Sequence, residues 1–250
     1  MRMRTVLWDL DGTLADTEEL HFHAWQATLH TEAIEYSHAT FLADFGRNNR
    51  EILIELLGEQ ATPVAIQEIS HRKEVMFRSL LPSFDVPALP GVMHWLNELQ
   101  NAGVRQVVSS SGTMANITAT IAKLDLGDYF MALMSGYKLP RGKPHPALFL
   151  NSAAAVGVTP ADCIVMEDSV AGVEAARRAG MASVAVGQLA GKRVLGELLA
   201  AVPGQPCLPV NSLLDLTWSD LEQLWQAAHA VDGFWPVQGV QPSPVNRAAG

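Results

Sequence analysis

The chain has 250 residues, 48% of them hydrophobic and 17% charged, with 26 acidic against 17 basic side chains and a formal charge of −9. That apolar content excludes wholesale disorder, and so acidic a chain lacks the basic face that a nucleic-acid backbone demands. Its charge-free stretches, such as 106–122 and 198–214, are broken by Ser, Thr and Asn or by Pro and Gly, so no membrane span is expected.

Short apolar runs alternate with longer helical patterns, which predicts an α/β fold built on a parallel sheet. In chain order the strands fall at 5–8 (TVLW), 104–109 (VRQVVS), 163–167 (CIVME), 182–186 (ASVAV) and 206–210, the last a short edge strand in which proline is tolerated. The 5–8 strand is expected at the centre of the sheet. Between the first two strands the texture changes: Leu20, Ala24 and Leu29, then Ile52, Leu56 and Leu57, recur at helical spacing, behind the acidic helix start Thr17-Glu18-Glu19. Residues 17–85 therefore read as a helical domain inserted into an α/β core of residues 1–16 and 86–232. Residues 233–250, rich in Pro and Gly, read as a loosely packed tail. Cys163 and Cys207 are too few for a disulfide framework, and the basic start Met1-Arg2-Met3-Arg4 leads into an apolar run that soon meets Asp9. Both features suit a cytoplasmic location.

Several of these strands end in polar or acidic residues followed by a turn, the place where open α/β sheets bind ligands. Asp9 and Asp11, in the run VLWDLDGT, put two carboxyl groups at one strand end, and Gly12 permits the turn after them. One such carboxylate can attack phosphorus while the other moves a proton; the plainer alternative is an acidic turn or helix cap. The run VVSSSG offers hydroxyls and backbone N–H groups to an anion, or is simply a serine-rich loop with an N-cap. Lys143, in RGKPHP, is held between Gly and Pro and can neutralise phosphate. The segment is not a Walker loop, because five residues separate Gly136 from Gly142 and Pro144 stands where a Ser or Thr would be needed. Glu167-Asp168-Ser169 supplies oxygen ligands for a hard cation, or caps a helix.

An Asp pair, a serine-ended strand, a lysine loop and an acidic pair, in this order, resemble the four motifs of the haloacid dehalogenase superfamily. The strings WDLDGTLADTE, LPRGKPHPALF and VMEDSVAGVEAARRAGM are similar to its branch of phosphatases and β-phosphoglucomutase-like enzymes, which carry a helical cap after the first motif. The resemblance covers about residues 5–187 and implies a Rossmann-like parallel sheet with an α-helical cap. It implies Asp9 as the nucleophile, passing through a phosphoaspartate, and Asp11 as the general acid/base. Ser109 is implied as the phosphate-orienting hydroxyl, with Ser110 the alternative register, and Lys143 as the balancing cation. Mg2+ is the implied cofactor, held by Asp9, Asp11 through its main-chain carbonyl, Glu167 and Asp168. In the cap, His21 and Trp25 share a helix face, and Arg47, Arg50 and Lys73 are candidate contacts for substrate.

The expected function is that of a magnesium-dependent phosphatase acting on small phosphorylated metabolites, sugar phosphates in particular. The alternative is a β-phosphoglucomutase-like isomerase. The partner is the small phosphorylated metabolite, with no nucleic acid and no membrane, and a monomer is expected.

Overall fold

The computed structural model describes residues 4–44, 47–191, 193–201 and 205–230. The expected tail at 233–250 lies outside the described residues, as do Phe45 and Gly46.

The first strand, β1 (Thr5–Trp8), is followed by four helices, α1 (Glu18–His30), α2 (His38–Asp44), α3 (Asn49–Leu57) and α4 (Pro63–Leu80). Next come α5 (Val92–Asn101), β2 (Arg105–Ser110), α6 (Met114–Lys123), β3 (Ala132–Ser135) and α7 (Ala147–Ala155). The remainder is β4 (Cys163–Glu167), α8 (Val170–Arg178), β5 (Ala182–Val186), α9 (Arg193–Ala201), β6 (Cys207–Val210) and α10 (Trp218–Ala230).

Among the described residues the strands form one sheet in the order β3-β2-β1-β4-β5-β6, with every pair parallel. The fold is the predicted one, with β1 between β2 and β4. Leu7 sits opposite Val107 on one side and Val165 on the other. Strand alternation divides the apolar side chains between the two faces. Val6, Trp8, Val108, Ile164 and Met166 pack on one face, against α5 and α10; Leu7, Val107, Cys163 and Val165 pack on the other, against α7 and α8. Two polar side chains buried in the first face, Trp8 and Gln106, find partners locally. Trp8 Nε1 donates to Gln106 Oε1 at 3.1 Å, and Gln106 Nε2 donates to the Leu96 carbonyl at 3.0 Å.

The chain leaves β1 toward β2 and β3 on one side and returns to β4 on the other, so the order reverses beside β1. That reversal opens a crevice at the carboxyl ends of the strands, where the polar residues after β1, β2 and β4 gather. Helices α1–α4 have a cluster of their own, with Trp25, Leu29, Tyr36, Phe41, Ile52, Leu53, Ile66 and Ile69 buried together, while Leu20, Ala24 and Phe77 join the large cluster of the sheet. The two chain segments leading into and out of these helices pair with each other. Asp16 N–H donates to the Pro87 carbonyl at 3.0 Å and Leu89 N–H to the Leu14 carbonyl at 3.1 Å.

Two details depart from expectation. Strand β3 had no predicted counterpart, and β2 runs to Ser110, one residue beyond the expected end at 109.

Candidate active site

Asp9 follows the last residue of β1, and its N–H continues the ladder by donating to the Met166 carbonyl at 3.0 Å. Its carboxylate is buried and accepts from Lys143 Nζ at 2.6 Å; the same ammonium donates to Glu167 Oε2 at 2.7 Å. One lysine from the loop before α7 thus joins the ends of β1 and β4. Burial alone would pull the Lys143 ammonium down, but Asp9 and Glu167 outweigh it and hold the group charged.

Gly12 turns the chain back with φ +82° and lets Asp168 come close, since a β-carbon at residue 12 would stand 2.2 Å from Asp168 Oδ2. Thr13 Oγ1 donates to Asp168 Oδ1 at 3.4 Å. Ser169 caps α8 by accepting from Gly172 N–H at 3.0 Å, and its hydroxyl donates to Glu167 Oε1 at 2.7 Å. Gly172 is needed for contact, because a β-carbon there would overlap the Glu167 side chain.

Asp9, Glu167 and Asp168 bring carboxylate oxygens within 4.8 Å of one another. Burial and the Glu167 charge push Asp9 well above the usual carboxylate range, and the same two causes push Asp168 up to about 7. Three hard oxygen donors crowded around a single lysine are a set that a divalent cation would relieve, so these residues fit a magnesium ion. Glu167 already serves Lys143 and Ser169, which leaves Asp9 and Asp168 with the more open carboxylate edges.

Asp11 lies beside this cluster and is held differently. Thr17 Oγ1 donates to its Oδ1 at 2.7 Å, and His21 Nε2 lies 3.2 Å from the same oxygen. Burial would raise Asp11, but His21, Thr17 and Lys73 outweigh it and bring the carboxyl down to about 2. Thr17, expected only as a helix start, makes no side-chain cap and spends its hydroxyl on Asp11.

The two candidate serines lie on opposite faces of β2. Ser109 is fully buried and donates its hydroxyl to Ser152 Oγ of α7 at 2.8 Å, on the face where Val107 packs. Ser110, on the opposite face, accepts from Gly112 N–H at 3.0 Å, in the loop that also approaches Asp11 Oδ2. Of the two registers, Ser110 is the one whose side chain lies on the Asp11 side of the strand.

Of the cap candidates, His21 and Lys73 come to the site. Lys73 is buried, with Nζ 2.9 Å from His21 Nδ1 and 3.1 Å from Glu74 Oε1, over the rings of Trp25 and Phe77. Trp25 is buried in the cluster of Leu29, Tyr36 and Phe41, with the Lys73 ammonium over its ring. Arg47 is bound to Asp44 at 2.5 Å and Glu55 at 3.1 Å, pairs internal to the helices, and Arg50 is exposed. Glu74, Asn49, Asn116 and Arg78 were not anticipated. Glu74 is buried and accepts from Asn49 Nδ2 at 2.7 Å and from Asn116 Nδ2. Burial would raise its carboxyl, but Lys73, His21 and the bond from Asn49 outweigh it and hold it below the usual range.

The family model of haloacid dehalogenase-like hydrolases matches residues 6–186. The chain belongs to this family. Over 230 residues it is 33% identical to a β-phosphoglucomutase of Bacillus subtilis, covering 90% of this chain and 96% of that protein. Over 190 residues it is 32% identical to a fructose-1-phosphate phosphatase of Escherichia coli, covering 74% and 97%. The solved β-phosphoglucomutase of Clostridium difficile superposes with a TM-score of 0.75 at 26% identity, covering 90% of this chain and 98% of that one. A family IA hydrolase from Entamoeba histolytica, at 23% identity and a TM-score of 0.77, shares the fold over 90% of this chain and all of its own. No helix among the described residues of this haloacid dehalogenase-like chain is long and apolar enough to cross a membrane.

Proposed function

We propose that the chain is a magnesium-dependent phosphatase of small phosphorylated metabolites, sugar phosphates foremost, acting through a phosphoaspartate on Asp9. The observation that carries the reading is the pair of carboxylates after β1. One is bound to a buried lysine and lies within 4.8 Å of two further acids; the other is held separately by hydroxyl and imidazole. Two like groups in unlike surroundings are suited to unlike tasks.

In this reading Asp9 Oδ attacks phosphorus and the ester P–O bond breaks. Ser110 and Lys143 bind the phosphoryl oxygens as their charge grows. Asp11, ionised in the free protein, takes up a proton from solvent as the like charge of the incoming dianion raises its carboxyl, and gives that proton to the departing sugar oxygen. It then takes a proton from the water that attacks the phosphoaspartate, which frees Asp9 and inorganic phosphate. Asp9, Asp168 and Glu167, with the Asp11 carbonyl, would hold the Mg2+, which supplies polarisation of the phosphoryl oxygens and offsets their repulsion from Asp9. Helices α1–α4, residues 17–85, serve as a cap over the crevice, hinged where 14–16 pairs with 87–89. The same reading has the protein work in the cytoplasm on small substrates, as a monomer.

A second reading, an isomerase that returns the phosphoryl group to another hydroxyl of the same sugar, is favoured by the 33% identity to the Bacillus subtilis enzyme. Against it, Arg47 is occupied by Asp44 and Glu55, and the loop 110–113 (SSGT) has no cation for a second phosphate. A screen of hexose, hexitol and pentose monophosphates, with Mg2+ and with chelator, tests the proposal. Metal-dependent phosphate release supports it; no release from any ester refutes it.

A further inference from the structure

Asn116 is a buried amide on the third residue of α6, and both of its ends are taken by one cap helix. Its Nδ2 donates to Glu74 Oε2, and its Oδ1 accepts from Arg78 Nη1 at 2.6 Å. A carboxylate only accepts and a guanidinium only donates, so the amide has a single workable orientation. Glu74 and Arg78 are four residues apart on α4, the spacing at which opposite charges on a helix pair with each other. Here Asn116 stands between them and takes a bond from each.

Beyond Glu74 the bonds continue without a gap. Lys73 donates to Glu74 Oε1 at 3.1 Å and to His21 Nδ1 at 2.9 Å. An ammonium has no acceptor, so Nδ1 accepts and Nε2 carries the proton, which points to Asp11 Oδ1 at 3.2 Å. The chain of bonds starts in the core at α6, passes through α4 and α1, and re-enters the core at Asp11. It crosses between cap and core twice, at Asn116–Glu74 and at His21–Asp11.

We propose that Asn116 is a positioning residue: by holding Glu74 away from Arg78 it fixes Lys73 and the His21 tautomer, so that Asp11 gains the His21 donor, beside that of Thr17, only when the cap is docked on α6. Without Asn116, Glu74 Oε2 loses its partner and Arg78 pairs with it along their own helix, pulling Glu74 against the hold of Asn49 and Lys73 on Oε1. Polar chains in a low-dielectric interior strengthen one another, so loss at one end is felt at the other.

The inference rests on the phosphatase reading for its kinetic consequence, and its test separates the two. A sugar alkoxide needs a proton from Asp11 to depart, whereas p-nitrophenolate leaves without one. In Asn116→Ala, kcat/KM for a sugar phosphate is expected to fall by about tenfold or more, and that for p-nitrophenyl phosphate by less than about threefold. Equal losses on both substrates, or no loss on either, would overturn the proposal. Asn116→Asp, the same shape with a charge that repels Glu74, should show the same split and serves if the alanine variant does not fold. A second readout needs no turnover: imidazole 15N shifts of His21 in the whole protein. The wild type is expected to show the Nε2–H tautomer and Asn116→Ala a mixture. Identical His21 spectra in the two proteins would overturn the proposal even if the enzyme released no phosphate at all.

Discussion

Gly12 and Asp168 are in contact across the two halves of the acidic cluster, so close that residue 12 has no room for a β-carbon. The glycine also sits at φ +82°, in the left-handed region that favours glycine. Gly12→Ala therefore meets backbone strain and displaces a proposed metal ligand together. The expected cost is about 1–3 kcal/mol of stability, read by denaturant unfolding, with loss of Mg2+-dependent turnover. A variant that keeps wild-type Mg2+ affinity would show that Asp168 has no part in holding the metal.

Ser110 and Ser109 make a paired test. Removing a donor aimed at a developing phosphoryl charge costs about 100-fold in rate, which is the expected fall in kcat/KM for Ser110→Ala. In Ser109→Ala the partner Ser152 still donates to the Leu148 carbonyl at 2.9 Å, so the loss is one buried hydrogen bond, about 1 kcal/mol of stability. Turnover should stay close to wild type. If Ser109→Ala is the slower enzyme, the face assignment of β2 is wrong.

These two serines also show what was legible in the sequence. The strand, its polar end and its place in the order of motifs could be read directly, but which hydroxyl faces the crevice depends on a one-residue register, and a shift of one turns every side chain to the other face. Asp9 and Lys143 are 134 residues apart, and only the order of motifs announced that they meet. Strand β3 escaped because four half-buried residues on a sheet edge leave no alternation to read. Lys73 reads from the sequence as a candidate contact for substrate while Glu74 beside it draws no notice, yet both are buried, because docking against α6 decides their exposure and no local pattern encodes it. Trp25 at helical spacing from His21 looked like a site residue, and the packing of α1–α4 claimed it for their own core.

Acid should loosen the cap. The folded protein holds Glu74 below its ordinary value of 4.5, so its charged form contributes stability that is present above that pH and lost as pH falls through the lowered value. Thermal unfolding followed from pH 6 downward should steepen below about 4.5 in the wild type and be flatter in Glu74→Gln. Equal slopes in the two proteins would remove Glu74 from the ion and hydrogen-bond network that holds the cap.

Removal of the metal should act through Asp168. Asp168→Asn keeps the shape of the side chain while withdrawing a hard anionic ligand. The variant is expected to fold, to need at least about tenfold more Mg2+ for half-maximal turnover, and to gain less thermal stability from added Mg2+ than the wild type. Unchanged Mg2+ dependence would return Asp168 to the plain role of a helix-start acid beside Thr13 and Gly12.

The fate of the phosphoryl group decides between the two proposed reactions. Asp9→Asn removes the attacking oxygen and should abolish turnover of every substrate, since nothing else at the end of β1 can take its place. Asp11→Asn keeps the bonds to Thr17 and His21 but can no longer exchange a proton. It should slow sugar phosphates by about 100-fold or more and p-nitrophenyl phosphate less in its first step, because that leaving group departs without help. In the wild type the acceptor is whatever Asp11 deprotonates. An isomerase must hold a sugar by two phosphates while it turns, which asks for a cation far from Lys143. Arg47 is bound to Asp44 and Glu55, Lys73 to Glu74 and His21, and Arg78 to Asn116. On the proposed phosphatase reading water is the acceptor, and hexose monophosphates should yield inorganic phosphate with no transient bisphosphate. Faster conversion of β-glucose 1-phosphate to glucose 6-phosphate than release of phosphate would overturn the phosphatase reading in favour of the isomerase.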